Sequence, residues 1–154
     1  TITNHPDKYY AVPSLVKKMD SVGYYNSFFF GGELNYGNIL SYLRYNEFDK
    51  IVEAKDINEG FFKGKLGYHD TDVMPWYVKQ LADHPQPFFS TLFTQSTHSP
   101  YDFPKMFEEI EWPVIEKQYV NSAHYTDIAI KMFMEVHGAD CLIRSHQLCR
   151  RSSH

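Results

Sequence analysis

Two short aromatic runs constrain the fold of this chain more than any other feature. Phe88-Phe89-Ser90-Thr91-Leu92-Phe93 follows Pro87 and gives way at once to Thr94-Gln95-Ser96-Thr97-His98-Ser99-Pro100-Tyr101. Residues 24–30 are equally rich in rings and stop at Gly31-Gly32. Runs this apolar, without a clear alternation, suit strands covered on both faces, the pattern of parallel strands between helices. In open sheets of that kind ligands gather just beyond the carboxyl ends of the strands. The polar segment after Phe93 therefore occupies the place of a functional loop, with His98 on it and Pro100 and Pro104 stiffening its exit.

The intervening sequence alternates helix and strand. Leu15, Val16 and Met19 repeat at helical spacing within residues 9–21, and Gly23 stops that helix. Ile39, Leu40 and Leu43 mark a second helix over residues 36–45, and Ile51 and Val52 a short strand over residues 49–54. A loop with Gly60, Gly64 and Gly67 leads to a third helix, capped by Asp70 or Thr71, on which Val73, Trp76, Tyr77 and Leu81 recur. The strand over residues 88–94 follows, then a loop, then a helix over residues 119–136. Such alternation predicts an α/β fold, a mostly parallel sheet flanked by helices, with right-handed crossovers.

At 154 residues the chain holds at most one domain, and 43% hydrophobic with 17% aromatic residues is enough to build a ring-rich core. A net charge of −4 gives no electrostatic footprint for nucleic acid. No apolar stretch approaches the roughly 20 residues a transmembrane helix needs. The amino-terminal residues Thr1-Ile2-Thr3-Asn4-His5 lack the basic and apolar regions of a signal peptide, and with no initiating Met the chain reads as a soluble fragment. Its eight histidines are scattered, with no compact ligand spacing and no His-Glu-x-x-His. Gly-x-Ser-x-Gly, phosphate-loop and dinucleotide fingerprints are likewise missing.

Five segments in order carry a resemblance. They are Phe29-Phe30-Gly31-Gly32-Glu33-Leu34-Asn35-Tyr36-Gly37-Asn38, Tyr45-Asn46-Glu47-Phe48-Asp49-Lys50-Ile51, Gly64-Lys65-Leu66-Gly67-Tyr68-His69-Asp70-Thr71-Asp72, residues 88–104, and Tyr119-Val120-Asn121-Ser122-Ala123-His124-Tyr125-Thr126-Asp127. Over residues 10–136 the chain resembles the sulfatase/phosphoglycerol transferase family, the lipoteichoic acid synthase-like group of the alkaline phosphatase superfamily. The resemblance implies the central part of a catalytic domain, here residues 1–139. It implies that the parent enzyme uses a divalent cation, manganese or magnesium, and a threonine nucleophile on a phosphatidylglycerol-like lipid head group or another anionic ester. It also implies that the parent works at the extracytoplasmic face of a bacterial membrane. The nucleophile and the Asp-His strand that complete such a site are not in this chain, so no catalytic residue and no metal ligand is assigned to it. A truncated, non-catalytic α/β module with a substrate- or partner-binding surface is the competing reading.

Three residues are assigned to substrate binding. His98 matches the family histidine that contacts the head group, and an imidazole can donate to a phosphoryl or leaving oxygen. Glu33 and Asn35 follow the paired glycines, where backbone can approach a ligand closely, and could face a glycerol hydroxyl; a turn with Asn35 or Asn38 capping the next helix is the simpler alternative. The lipoteichoic acid synthases carry an arginine near Tyr36, and this chain has none there. Asp70 and Asp72 complement a helix start, Asp127 reads as a buried hydrogen-bonding carboxylate, and residues 106–117 read as an acidic, solvated connection.

Residues 140–154 break the composition, holding Cys141, Cys149 and three of the four arginines. Two readings stay open: a disordered basic tail, or out-of-frame sequence whose permitted codons in the next frame spell an apolar strand ending in Asp-His. A single loop histidine with dispersed carboxylates supplies no preformed ligand set. Calorimetry on this chain is accordingly expected to show weak manganese binding or none; tight stoichiometric binding lost in His98→Ala would contradict that.

Overall fold

A computed structural model describes the backbone of residues 1–151 and the side chains of residues 1–135. What was expected of the side chains of residues 140–154 lies outside the described residues. Three strands, β1 (Tyr25–Phe30), β2 (Lys50–Val52) and β3 (Phe88–Phe93), form one sheet in the order β2-β1-β3. Both pairings are parallel, with Phe28 opposite Ile51 and Phe30 opposite Phe93. The helices are α1 (Leu15–Asp20), α2 (Ile39–Tyr45), α3 (Asp70–Leu81) and α4 (Lys117–Arg151).

The aromatic run of β1 is continuous because both of its faces are covered. Phe29 points toward a cluster with Val52, Ile57, Tyr77 and Leu81, joined by Phe133 of α4. Phe28 and Phe30 point the other way, packing with Leu34 and with Leu43 of α2. Phe29 has no exposed surface, and truncating such a ring typically costs about 3–5 kcal/mol.

Two expected helices break at identifiable residues. Residues 9–21 do not form one helix: a 3-10 segment, Pro6–Ala11, is followed by extended backbone at Val12, and α1 starts only after Ser14, whose side chain accepts the Lys17 N–H. Pro13 is the reason, because it drives its predecessor out of helical backbone. Similarly, Gly37 and Asn38 adopt left-handed backbone, at φ 62° and 58°, so α2 begins at Ile39. Asn38 stands at the N-cap position of α2, but neither it nor Asn35 makes a side-chain cap bond.

A buried polar chain crosses the sheet. The Ser27 and Ser90 hydroxyls lie 2.6 Å apart on neighbouring strands, and His84 Nε2 is 2.9 Å from Ser27 Oγ. His84 Nδ1 lies 2.9 Å from the Gln80 carbonyl. That carbonyl can only accept, so Nδ1 carries the proton and Nε2 accepts from Ser27. Burial disfavours the imidazolium and lowers the His84 pKa from its ordinary 6.5, against the partial support of the Gln80 carbonyl.

The start of α3 is tied to the loop after β3 by Asp70. Its carboxylate accepts the backbone N–H groups of Gln95 at 3.2 Å and Ser96 at 3.0 Å, and all three residues are buried. The N-cap position belongs instead to His69, which makes no side-chain cap bond. Asp70 thus fastens a loop as well as complementing a helix start.

Two outcomes follow. Asp70→Ala should destabilise the chain by about 1–3 kcal/mol for each N–H left buried without an acceptor, measured by denaturant unfolding. For His84 the folded pKa lies below the unfolded one, so its contribution to stability is complete above pH 6.5 and declines as pH falls below it. The stability difference between the unmodified chain and His84→Gln should therefore shrink on acidification; a difference independent of pH would show that His84 does not titrate on unfolding.

Candidate functional site

Because β1, β2 and β3 are parallel, the segments that follow them emerge at one edge of the sheet. Gly31-Gly32 follows β1, Glu53 follows β2, and the loop with Gln95, Ser96 and His98 follows β3. These segments interlock. The Gly32 carbonyl accepts the Ala54 N–H at 3.0 Å, and Glu53 Oε2 accepts the Leu34 N–H at 2.9 Å. A Cβ on Gly32 would lie 2.6 Å from the Phe30 ring and 2.8 Å from both Gln95 Oε1 and the Leu66 carbonyl, so only glycine fits. Glu53 is buried, and its carboxyl is held below the usual range first by a hydrogen bond from the Lys55 ammonium and then by the Leu34 N–H.

His98 stands at this edge and is exposed. Its Nδ1 lies 2.7 Å from the Ser99 carbonyl and donates to it, which leaves Nε2 for a ligand. As neutral imidazole that nitrogen accepts from a hydroxyl; as imidazolium it donates to an anionic oxygen. Glu33 also lies on the surface, three-quarters exposed, with Lys63 Nζ 3.7 Å from its carboxylate. An exposed ion pair of that length holds Glu33 only weakly. Asn35 is exposed too and immediately precedes the 3-10 segment Tyr36–Asn38. No hydrogen bond or ion pair joins His98, Glu33 and Asn35 to one another among the described residues.

The run Tyr68-His69-Asp70-Thr71-Asp72 is divided by the fold. Asp70 turns toward Gln95 and Ser96, whereas His69, Thr71 and Asp72 line a separate hollow of about 540 Å³. Phe62, Phe103 and Phe107 supply its aromatic walls, and Asp102 a second carboxylate. The His69 ring is buried and stacks on Phe62 with centroids 5.7 Å apart. Thr71 Oγ1 is 2.6 Å from the hydroxyl of Tyr125, whose pKa is raised by burial despite that bond. Asp102 Oδ2 accepts the Lys65 N–H. A smaller hollow shares His69 and Asp102 and is also lined by Gln95 and Ser96. Gln95 Oε1 and Ser96 Oγ are buried without a hydrogen-bond partner.

Phe62 and Asp102 were not singled out in the sequence. The one available signal was the Phe61-Phe62 pair set between Gly60 and Gly64, too apolar for an idle loop. Asp127, expected to be buried, is exposed, because it lies on the outer side of α4 whereas Tyr125 and Ala129 turn inward. The acidic connection is a surface feature whose charges are partly matched: Lys117 pairs with Glu108 and Glu111, and His124 lies 3.5 Å from Glu109.

Among the described residues, no three His, Cys, Asp or Glu side chains gather as ligands for a metal ion. None of the described helices is long and apolar enough to cross a membrane.

Comparison with known proteins agrees with this architecture. A family model described as Sulfatase matches residues 2–136. A solved alkaline phosphatase superfamily protein from Vibrio parahaemolyticus is 30% identical with a TM-score of 0.68, over 79% of this chain and 30% of that one. The lipoteichoic acid synthase LtaP from Listeria monocytogenes shares the fold at 23% identity and a TM-score of 0.66, over 80% of this chain and 32% of its own. This chain thus spans about a third of either structure. With its parallel sheet and the match across nearly all of its described side chains, the chain belongs to the sulfatase family.

Proposed function

We propose that this chain is the central part of the catalytic domain of a metal-dependent phosphoglycerol transferase or sulfatase-like hydrolase, acting on a phosphodiester or sulfate ester and inactive alone. The observation that carries this reading is the shared edge: the His98 loop and the Gly31-Gly32 turn both follow parallel strands and touch through Gln95. His98 Nε2 faces the ester's head group, with Glu33 and Asn35 available to its hydroxyls. The substrate is a phosphatidylglycerol-like lipid head group or a related anionic ester, and the parent acts at the extracytoplasmic face of a bacterial membrane. Manganese or magnesium, together with the nucleophile, belongs to segments outside this chain, and the residues present take no step through the ion.

The competing reading is a non-catalytic module that binds a partner, and it draws on Val114 and Ile115, which are 91% and 97% exposed ahead of α4. Coding sequence on either side of this segment distinguishes the two. The catalytic reading expects an in-frame threonine or cysteine nucleophile upstream and an Asp-His strand downstream; an uninterrupted frame with neither would refute it. In the longer protein, His98→Ala should lower ester turnover about 10²-fold, the usual loss for one transition-state donor, and leave the unfolding midpoint nearly unchanged. Near-normal turnover would reduce His98 to a residue that pins its own loop through Ser99.

A further inference from the structure

The hollow beside α3 is equipped for a ligand that the ester chemistry does not use. Asp72 and Asp102 both line it, and neither is paired with a lysine or arginine among the described residues. Phe62, Phe103 and Phe107 present aromatic surface to the same space. His69, only 5% exposed, also lines it, and its ring nitrogens hydrogen-bond to no described group. Its nitrogens are therefore open to a group that enters the hollow. Two carboxylates repel an anion, and no three ligands converge for a metal ion among the described residues. What remains is a cation that can be held by charge and by π faces together, an arrangement suited to alkylated ammonium groups.

We propose that this hollow binds an organic ammonium group, its charge matched by Asp72 and Asp102 and its carbon shell packed against Phe62, Phe103 and Phe107. The volume of about 540 Å³ is ample for choline or ethanolamine. His69 offers a ring nitrogen to the N–H of a primary amine or to the hydroxyl of either molecule. Asp102 keeps Oδ1 for the ligand while Oδ2 holds the Lys65 N–H. This binding requires nothing of the ester chemistry and is measurable on the chain by itself.

The test is a carbon-edited NMR titration of the His69 and Phe62 rings in the full chain with choline chloride, ethanolamine hydrochloride, glycerol and sodium chloride. The expected result is a saturable shift with either amine at millimolar concentration and none with glycerol or sodium chloride. Asp72→Asn and Phe62→Ala should each weaken binding about tenfold, the scale of losing one charge or one cation–π face. Both side chains lie away from the buried core, Phe62 being 73% exposed, and an amide spectrum of each variant verifies its fold. A short-chain phosphatidylcholine that binds more tightly than choline identifies a lipid head group as the source; equal affinity identifies the free amine. No saturable shift with either amine, the same shift with sodium chloride, or affinities unchanged in both folded variants would overturn the proposal.

Discussion

The carboxylate of Asp70 holds together the parts of this structure that matter for function. By accepting the N–H groups of Gln95 and Ser96 it joins the first residue of α3 to the loop that leaves β3. Those donors would otherwise be buried at the end of a strand with no ladder partner, a loss comparable to a broken hydrogen bond for each. Gln95, positioned in this way, sends its side-chain N–H to the Tyr68 carbonyl and its oxygen toward Gly32. One carboxylate therefore aligns three chain segments, and the His98 loop departs from a base that cannot drift.

Behind that edge the sheet is registered by polar as well as apolar contacts. Apolar burial drives β1 into the centre, but rings alone would tolerate a shift along the strand. The Ser27–Ser90 contact, continued to His84, allows much less, because slippage would strand buried hydroxyls. Burial favours the neutral His84 imidazole, so the device that fixes strand register is also the one expected to respond to acid.

The ring-rich hollow and the loop that carries His98 meet the start of α3 at neighbouring residues, His69 and Asp70. Successive residues at a helix start project in different directions, so Asp70 reaches the sheet while His69 and Asp72 line the hollow. A compact acidic motif in the sequence is thereby divided into one structural carboxylate and one that borders open space. Charge in that space comes from two segments far apart in the chain, Asp72 at the start of α3 and Asp102 beyond β3.

Several features were legible from the amino-acid order alone, and each had a local cause. The β1 and β3 runs announced buried parallel strands because a strand covered on both faces has no polar side to alternate. The place of His98 at the carboxyl edge followed from that inference, and the ordered motifs carried the family. Helix boundaries were less readable: Pro13 and the left-handed Gly37-Asn38 step divided segments whose apolar spacing looked continuous. The exposure of Asp127 and the juxtaposition of Phe62, His69 and Asp102 could not be read at all, since they depend on how α4 and two loops fold back over α3. Periodicity and punctuation act over a few neighbouring residues and so determine elements. Contacts between residues such as Gly64 and Asp102 arise only when the whole chain has packed, and the tertiary structure alone decided them.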